Sequence, residues 1–152
     1  MHPPVRILIA DDHTLLRQAV RALLQAQSDF VLVGEAADGA RAFELARQLK
    51  PDILLLDLSM PGVSGMNALQ QLVGLPDLRV ILFTAAIEIV QMEEAFRLGV
   101  RGVVLKKSAA KVLYESIRAV MAGHYWLENR AISKPVTSEN EPLVKRKSSG
   151  NQ

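Results

Sequence analysis

The sequence predicts a doubly wound α/β domain, a (βα)5 unit built on a parallel sheet. Two observations carry that prediction. Five short runs rich in Val, Ile and Leu recur between Val5 and Leu105, and most do not alternate with polar residues. That is the pattern of strands buried on both faces of a parallel sheet. Between and after them, apolar residues return every three or four positions, the period of a helix with one buried face.

The elements follow in order. Residues 5–10, 30–34, 53–58, 80–83 and 103–105 form the strand candidates. After the first, Leu15, Leu16, Ala19, Val20, Leu23 and Leu24 mark an apolar helix face, with Arg17, Gln18, Arg21 and Gln25 opposite. Residues 39–49 repeat the pattern with Ala42, Phe43, Leu45, Ala46 and Leu49. Met66, Leu69, Leu72 and Val73 make a third helix. A less regular fourth has Ile87, Val90, Ala95, Phe96 and Leu98, and a fifth has Val112, Leu113, Ile117, Val120 and Met121. Strand and helix alternate five times, and right-handed crossovers leave few ways to arrange them. The flavodoxin-like strand order 2-1-3-4-5 is the natural solution for five strands.

Residues 1–130 are therefore expected to form one domain. From 131 to 152, Ser, Pro, Lys, Glu and Asn dominate and periodicity disappears, so this stretch reads as a flexible linker or tail. The net charge is +2, and the tail carries Lys134, Lys145, Arg146 and Lys147 against Glu139 and Glu141. Four minus two accounts for the whole surplus, so the domain has no basic excess to offer nucleic acid. There is no cysteine, which excludes disulfides and thiolate chemistry. No apolar run approaches the roughly 20 residues of a membrane span. Met1-His2-Pro3-Pro4 lacks the basic-then-apolar build of a signal peptide. A cytoplasmic location is the expectation.

In open α/β sheets, ligands bind beyond the carboxyl ends of the strands. Asp11 and Asp12 follow the first strand, Asp57 lies at the end of the third, Thr84 at the end of the fourth and Lys106 after the fifth. Each has an ordinary alternative. Asp12 or Thr84 could cap a helix, Asp57 could close the turn before Pro61, and Lys106 could snorkel from its strand end. As a group they fit those alternatives poorly, because three converging carboxylates repel one another. Hard oxygen ligands beside an open strand edge suit Mg²⁺.

These residues make the chain resemble the receiver domain of bacterial two-component response regulators, over residues 5 to about 125. The resemblance rests on the Asp11-Asp12 pair and on Asp57 in "LLLDLSMPGVSG", with its Met60-Pro61-Gly62 turn and Gly65. Thr84-Ala85, and Lys106 after "GVV" and Leu105, complete it. The segment "MAGHYWLENR" is similar to the NarL/FixJ subfamily, whose receivers usually precede a LuxR-type helix-turn-helix domain.

The resemblance implies that Asp57 is the phosphoacceptor for a sensor histidine kinase. Asp11, Asp12, Asp57 and the backbone carbonyl of Ser59 would hold Mg²⁺, while Lys106 and Thr84 would meet the phosphoryl oxygens. Thr84 and position 103 would carry the switch, and Ser59 and Ala86 would flank the path of the hydrolytic water. Two positions depart from the family. Val103 stands where receivers usually carry Tyr or Phe, and Lys107 stands where many have Pro. The first departure removes the aromatic part of the relay. Lys107 reads as a solvated charge.

The resemblance also implies partners: the kinase, read through the first helix at roughly 14–25, and a second copy on phosphorylation. DNA would be met only through an output domain outside this chain, and truncation within the linker is the expected reason for its absence. Three rival readings fit these residues less well. A haloacid-dehalogenase-type phosphatase would need a second Asp where Ser59 stands, and its nucleophile on the first strand. A flavodoxin-like cofactor binder would need a phosphate loop where "ADDHT" offers anions. A degenerate receiver would not keep Asp11, Asp12, Asp57, Thr84 and Lys106 together.

Overall fold

The computed structural model describes residues 2–61 and 66–128. Gly62 and Gly65 of the turn motif, the expected boundary at Arg130 and the tail at 131–152 lie outside them. In chain order the elements are β1 (Val5–Ala10), α1 (Thr14–Gln25), β2 (Phe30–Ala36), α2 (Gly39–Leu49), β3 (Ile53–Leu56) and α3 (Met66–Val73). They continue with β4 (Arg79–Thr84), α4 (Ile89–Leu98), β5 (Gly102–Leu105), α5 (Ala110–Met121) and β6 (Trp126–Leu127).

The sheet is parallel, with order β2-β1-β3-β4-β5-β6. The expected order of five strands holds, and a sixth strand joins the free edge of β5. It pairs Trp126 with Gly102 and Leu127 with Val103. Two residues are too few for any period to register, so the sequence pattern gave no strand signal here. Strand β3 stops at Leu56, two residues short of the predicted end, because after the last ladder bond from the Asp57 N–H the chain turns at Ser59 and Met60. Strand β2 runs two residues further, to Ala36, with a register shift opposite Ile7 and Leu8.

Both faces of the sheet are covered, which is why the strands lack polar alternation. Leu8, Leu54, Leu56, Leu82, Val103 and Leu105 face one layer of core with residues of α2, α3 and α4. Ile7, Ile9, Ile53, Leu55, Ile81 and Val104 face the other, against Val20 and Leu24 of α1 and Leu113, Ile117 and Val120 of α5. Each side chain of the Ile53–Leu56 run is fully buried. Burial of that kind is worth roughly 1.5–3 kcal/mol per side chain. The core thus fixes the central strand, and the central strand fixes where Asp57 emerges. Among the described residues no helix is long and apolar enough to cross a membrane.

Candidate functional site

The ladder continues one residue past several strand ends, and this places the acidic and basic groups. The Asp57 N–H donates to the Ala10 carbonyl at 3.0 Å, the Asp11 N–H to the Ala36 carbonyl at 2.9 Å and the Lys106 N–H to the Thr84 carbonyl at 2.8 Å. Three neighbouring loops therefore start from positions set by the sheet. Asp11 and Asp57 are each only 1% exposed, and Thr84 is also buried.

The Lys106 ammonium lies between two carboxylates. Its Nζ is 2.6 Å from Asp11 Oδ2 and 2.9 Å from Asp57 Oδ2. With Asp57 it makes a hydrogen bond. Asp11 Oδ2 is ion-paired with the same ammonium. Ser59 approaches Asp57 from the other side: its N–H donates to Oδ1 at 3.0 Å, and its hydroxyl lies 2.9 Å from Oδ1 and 3.0 Å from Oδ2.

These contacts act against burial. Desolvation pushes the Asp57 carboxyl up, but the hydrogen bonds from Lys106 and Ser59 outweigh it and hold the group below its ordinary range. Burial likewise pushes the Lys106 ammonium down, and the Asp11 and Asp57 carboxylates together hold it above its ordinary value. The charged forms of both groups are favoured.

The predicted residues do not all behave alike. Asp57 does close its turn, as the ordinary reading allowed, through the Ser59 N–H and through its own carbonyl, which accepts from Met60 at 3.3 Å. It does so while also meeting Lys106. Asp12 is not a helix cap, because His13 precedes α1 and supplies no side-chain cap. Asp11 makes the local turn instead, accepting from the His13 N–H at 2.9 Å. Thr84 is not a cap either, since Glu88 precedes α4. Its hydroxyl donates to the Ala86 carbonyl at 2.9 Å rather than to Asp57. Lys106 does not snorkel outward. Val103 is fully buried among apolar neighbours. Ser59, Ala86 and Lys107 are exposed.

Two residues that the sequence reading passed over also belong here. His13 Nδ1 lies 3.1 Å from Asp11 Oδ1 and 3.4 Å from Asp12 Oδ1. Arg17 donates from Nη1 to the Asp11 carbonyl at 2.6 Å and from Nε to Glu35 at 3.0 Å. Arg17 read as part of the polar face of α1, and only the fold turns it back to the loop. His13 carried one signal, its place directly after two acids. Asp11, Asp12, His13 and Asp57 each offer a ligand atom within 4.8 Å of the others. With three carboxylates and an imidazole gathered around it, this position has the chemistry to hold a small hard cation.

Comparison with known proteins identifies the family. Residues 7–118 match the family model described as the response regulator receiver domain. The transcriptional regulatory protein LiaR of Bacillus subtilis is 35% identical over 131 residues, which are 86% of this chain and 62% of LiaR. The chain spans about two thirds of the length of the curated relatives it matches. A LuxR-family two-component response regulator from Aurantimonas superposes with a TM-score of 0.75 at 32% identity, covering 81% of this chain and 89% of that one. The receiver domain of the putative response regulator NarL from Mycobacterium tuberculosis gives the same TM-score and identity, over 81% of this chain and all (100%) of that one. Nothing in these matches supports the haloacid-dehalogenase reading. The chain belongs to the receiver domains of response regulators, among relatives of the LuxR/NarL type.

Proposed function

We propose that this domain takes a phosphoryl group onto Asp57 from a phosphohistidine of a sensor histidine kinase. The observation that carries the reading is the placement of one buried carboxylate between Lys106 and Ser59 at the carboxyl edge of the sheet. Transfer forms a bond from an Asp57 oxygen to phosphorus and breaks the bond from phosphorus to the kinase imidazole. A loose transition state asks little of the protein beyond in-line placement and charge compensation. The depressed proton affinity of Asp57 keeps the nucleophile ionised.

Asp11, Asp12 and Asp57, with the Ser59 carbonyl, would hold Mg²⁺. When bound, the ion offsets the repulsion between carboxylate and incoming phosphoryl group. Lys106 already contacts Asp57 and would extend to a phosphoryl oxygen. Thr84 would exchange the Ala86 carbonyl for another such oxygen, which breaks the turn it now closes. That exchange gives the 84–86 loop two arrangements for phosphorylation to bias. Val103, buried and aliphatic, supplies no ring to rotate, so the loop itself carries the switch. Ser59 and Ala86 would bound the water's approach, and turnover is confined to the domain's own acyl phosphate. The wider setting belongs to the same proposal: residues 1–130 as the domain and 131–152 as its linker, in the cytoplasm, with pairing to a second copy on phosphorylation. DNA is met through an output domain elsewhere in a longer protein.

The test is intact mass after incubation with acetyl phosphate and Mg²⁺. One phosphoryl adduct is expected, absent in Asp57→Asn and strongly reduced by EDTA. An equal adduct in Asp57→Asn overturns the assignment.

A further inference from the structure

The chain returns to the sheet after α5 and lays residues 126–128 along β5. The Trp126 N–H donates to the Arg101 carbonyl at 3.0 Å, and the Glu128 N–H to the Val103 carbonyl at 3.3 Å. Pairing by backbone stops there. The next outward-facing donor of β5 is the Leu105 N–H, which would be left without a partner at the sheet edge. The Glu128 carboxylate takes it, with Oε1 accepting at 2.9 Å. Its other oxygen, Oε2, accepts from the Ser108 hydroxyl. Glu128 is only 8% exposed.

One buried carboxylate thus fastens the residue before Lys106 and a residue two places after it. A carboxylate is costly to bury unless it is well bonded, and here both oxygens are used. Lys106 reaches Asp11 and Asp57 from the backbone stretch that Glu128 grips.

We propose that Glu128 is a positioning residue for Lys106, and that its grip couples the 126–128 strap to the phosphorylation state of Asp57. This rests on the phosphoacceptor reading above. Drawing Lys106 toward a phosphoryl oxygen pulls on residues 105–108, and the Glu128 carboxylate passes that pull to the strap. The strap leads into residues 131–152, so the site is joined to the C-terminal segment without any ring at position 103. By linkage the coupling works in both directions, so loosening the strap alters phosphoryl uptake.

The experiment compares the full chain with its Glu128→Ala and Glu128→Gln variants. Gln keeps an acceptor for the Leu105 N–H and guards against simple failure to fold. Two quantities are read: the rate of adduct formation from acetyl phosphate with Mg²⁺, and amide exchange at Leu105, Trp126 and Glu128 with and without the phosphodonor. The native chain should change its exchange at these amides on phosphorylation. Glu128→Ala should take up phosphate about tenfold more slowly and lose that change, and Glu128→Gln should restore most of both. If folded Glu128→Ala reacts at the native rate, or the exchange difference persists in it, the proposal is overturned. Lys106→Ala supplies an arm without phosphate. It should alter exchange at Trp126 if the grip is real, and unaltered exchange contradicts the coupling even where no adduct forms at Asp57.

Discussion

Asp57 puts a buried carboxylate directly after four fully buried apolar residues. Lys106 and Ser59 together outweigh desolvation. The consequence is pH dependence. Asp57 has a folded-state affinity for protons below the ordinary carboxylate value of 3.8, so its contribution to stability is present above that value. It is lost as pH falls through the lower folded value. Lys106 is displaced the other way, so its contribution is present below the ordinary 10.5 and is lost as pH rises through the higher folded value. Melting curves should show a plateau between these limits, with a steeper acid loss in the native chain than in Asp57→Asn. Parallel acid limbs would contradict the pairing. Asp12 gives a second expectation. It is partly exposed and can be truncated with little risk to the core. Mg²⁺ should stabilise the native chain by about 2.7 kcal/mol at a hundredfold excess over Kd, and so raise its melting temperature. In Asp12→Ala the same Mg²⁺ concentration should raise it less, and an unchanged rise would remove Asp12 from the metal site.

Among the elements, α5 shows how the frame around the site is held. Arg118 forks onto Asp29 in the α1–β2 loop, at 3.0 Å from each carboxylate oxygen, and reaches Gln27 at 2.8 Å. The same guanidinium lies over Phe30, 4.8 Å from the ring centre, and its hydrogen bonds hold the Asp29 carboxyl below its ordinary range. Tyr114 of α5 donates to the Leu23 carbonyl at 2.7 Å, joining α5 to the end of α1. The Arg118–Asp29 pair is about half exposed, so solvent screens it and its worth is modest. Arg118→Ala should cost about 1 kcal/mol in urea unfolding, and Arg118→Lys should recover little, because the fork and the stacking go with the guanidinium. A loss well above about 3 kcal/mol would mean that the contact anchors the fold rather than trimming it. Elements also mark the limit of sequence reading. The apolar periods revealed α1, α2 and α5, but β6 has no period and rests on pairing with β5 across the intervening α5.

For the molecule as a whole, the architecture was legible because both faces of the sheet are buried. Ile53 to Leu56 could run uninterrupted only in a central strand, and the alternation of elements then fixed the order of five strands. The site was legible for the same reason, since Asp11, Asp57 and Lys106 sit one residue past strands whose ends could be read. What remained hidden depends on side-chain direction across the fold. Arg17 folds back onto the Asp11 carbonyl, His13 turns between two acids, Thr84 satisfies itself on Ala86, and Glu128 returns to grip Leu105. No periodicity encodes these, because each joins positions whose spacing has meaning only in the folded sheet. Everything proposed for this site turns on Asp57 as the phosphoacceptor. The most direct test of that role is borohydride reduction of the phosphorylated chain, which converts an aspartyl phosphate to homoserine, followed by peptide mass mapping. Homoserine is expected at position 57. Homoserine at Asp11 or Asp12, or phosphate retained on Ser59 or Thr84 with Asp57 intact, would contradict it.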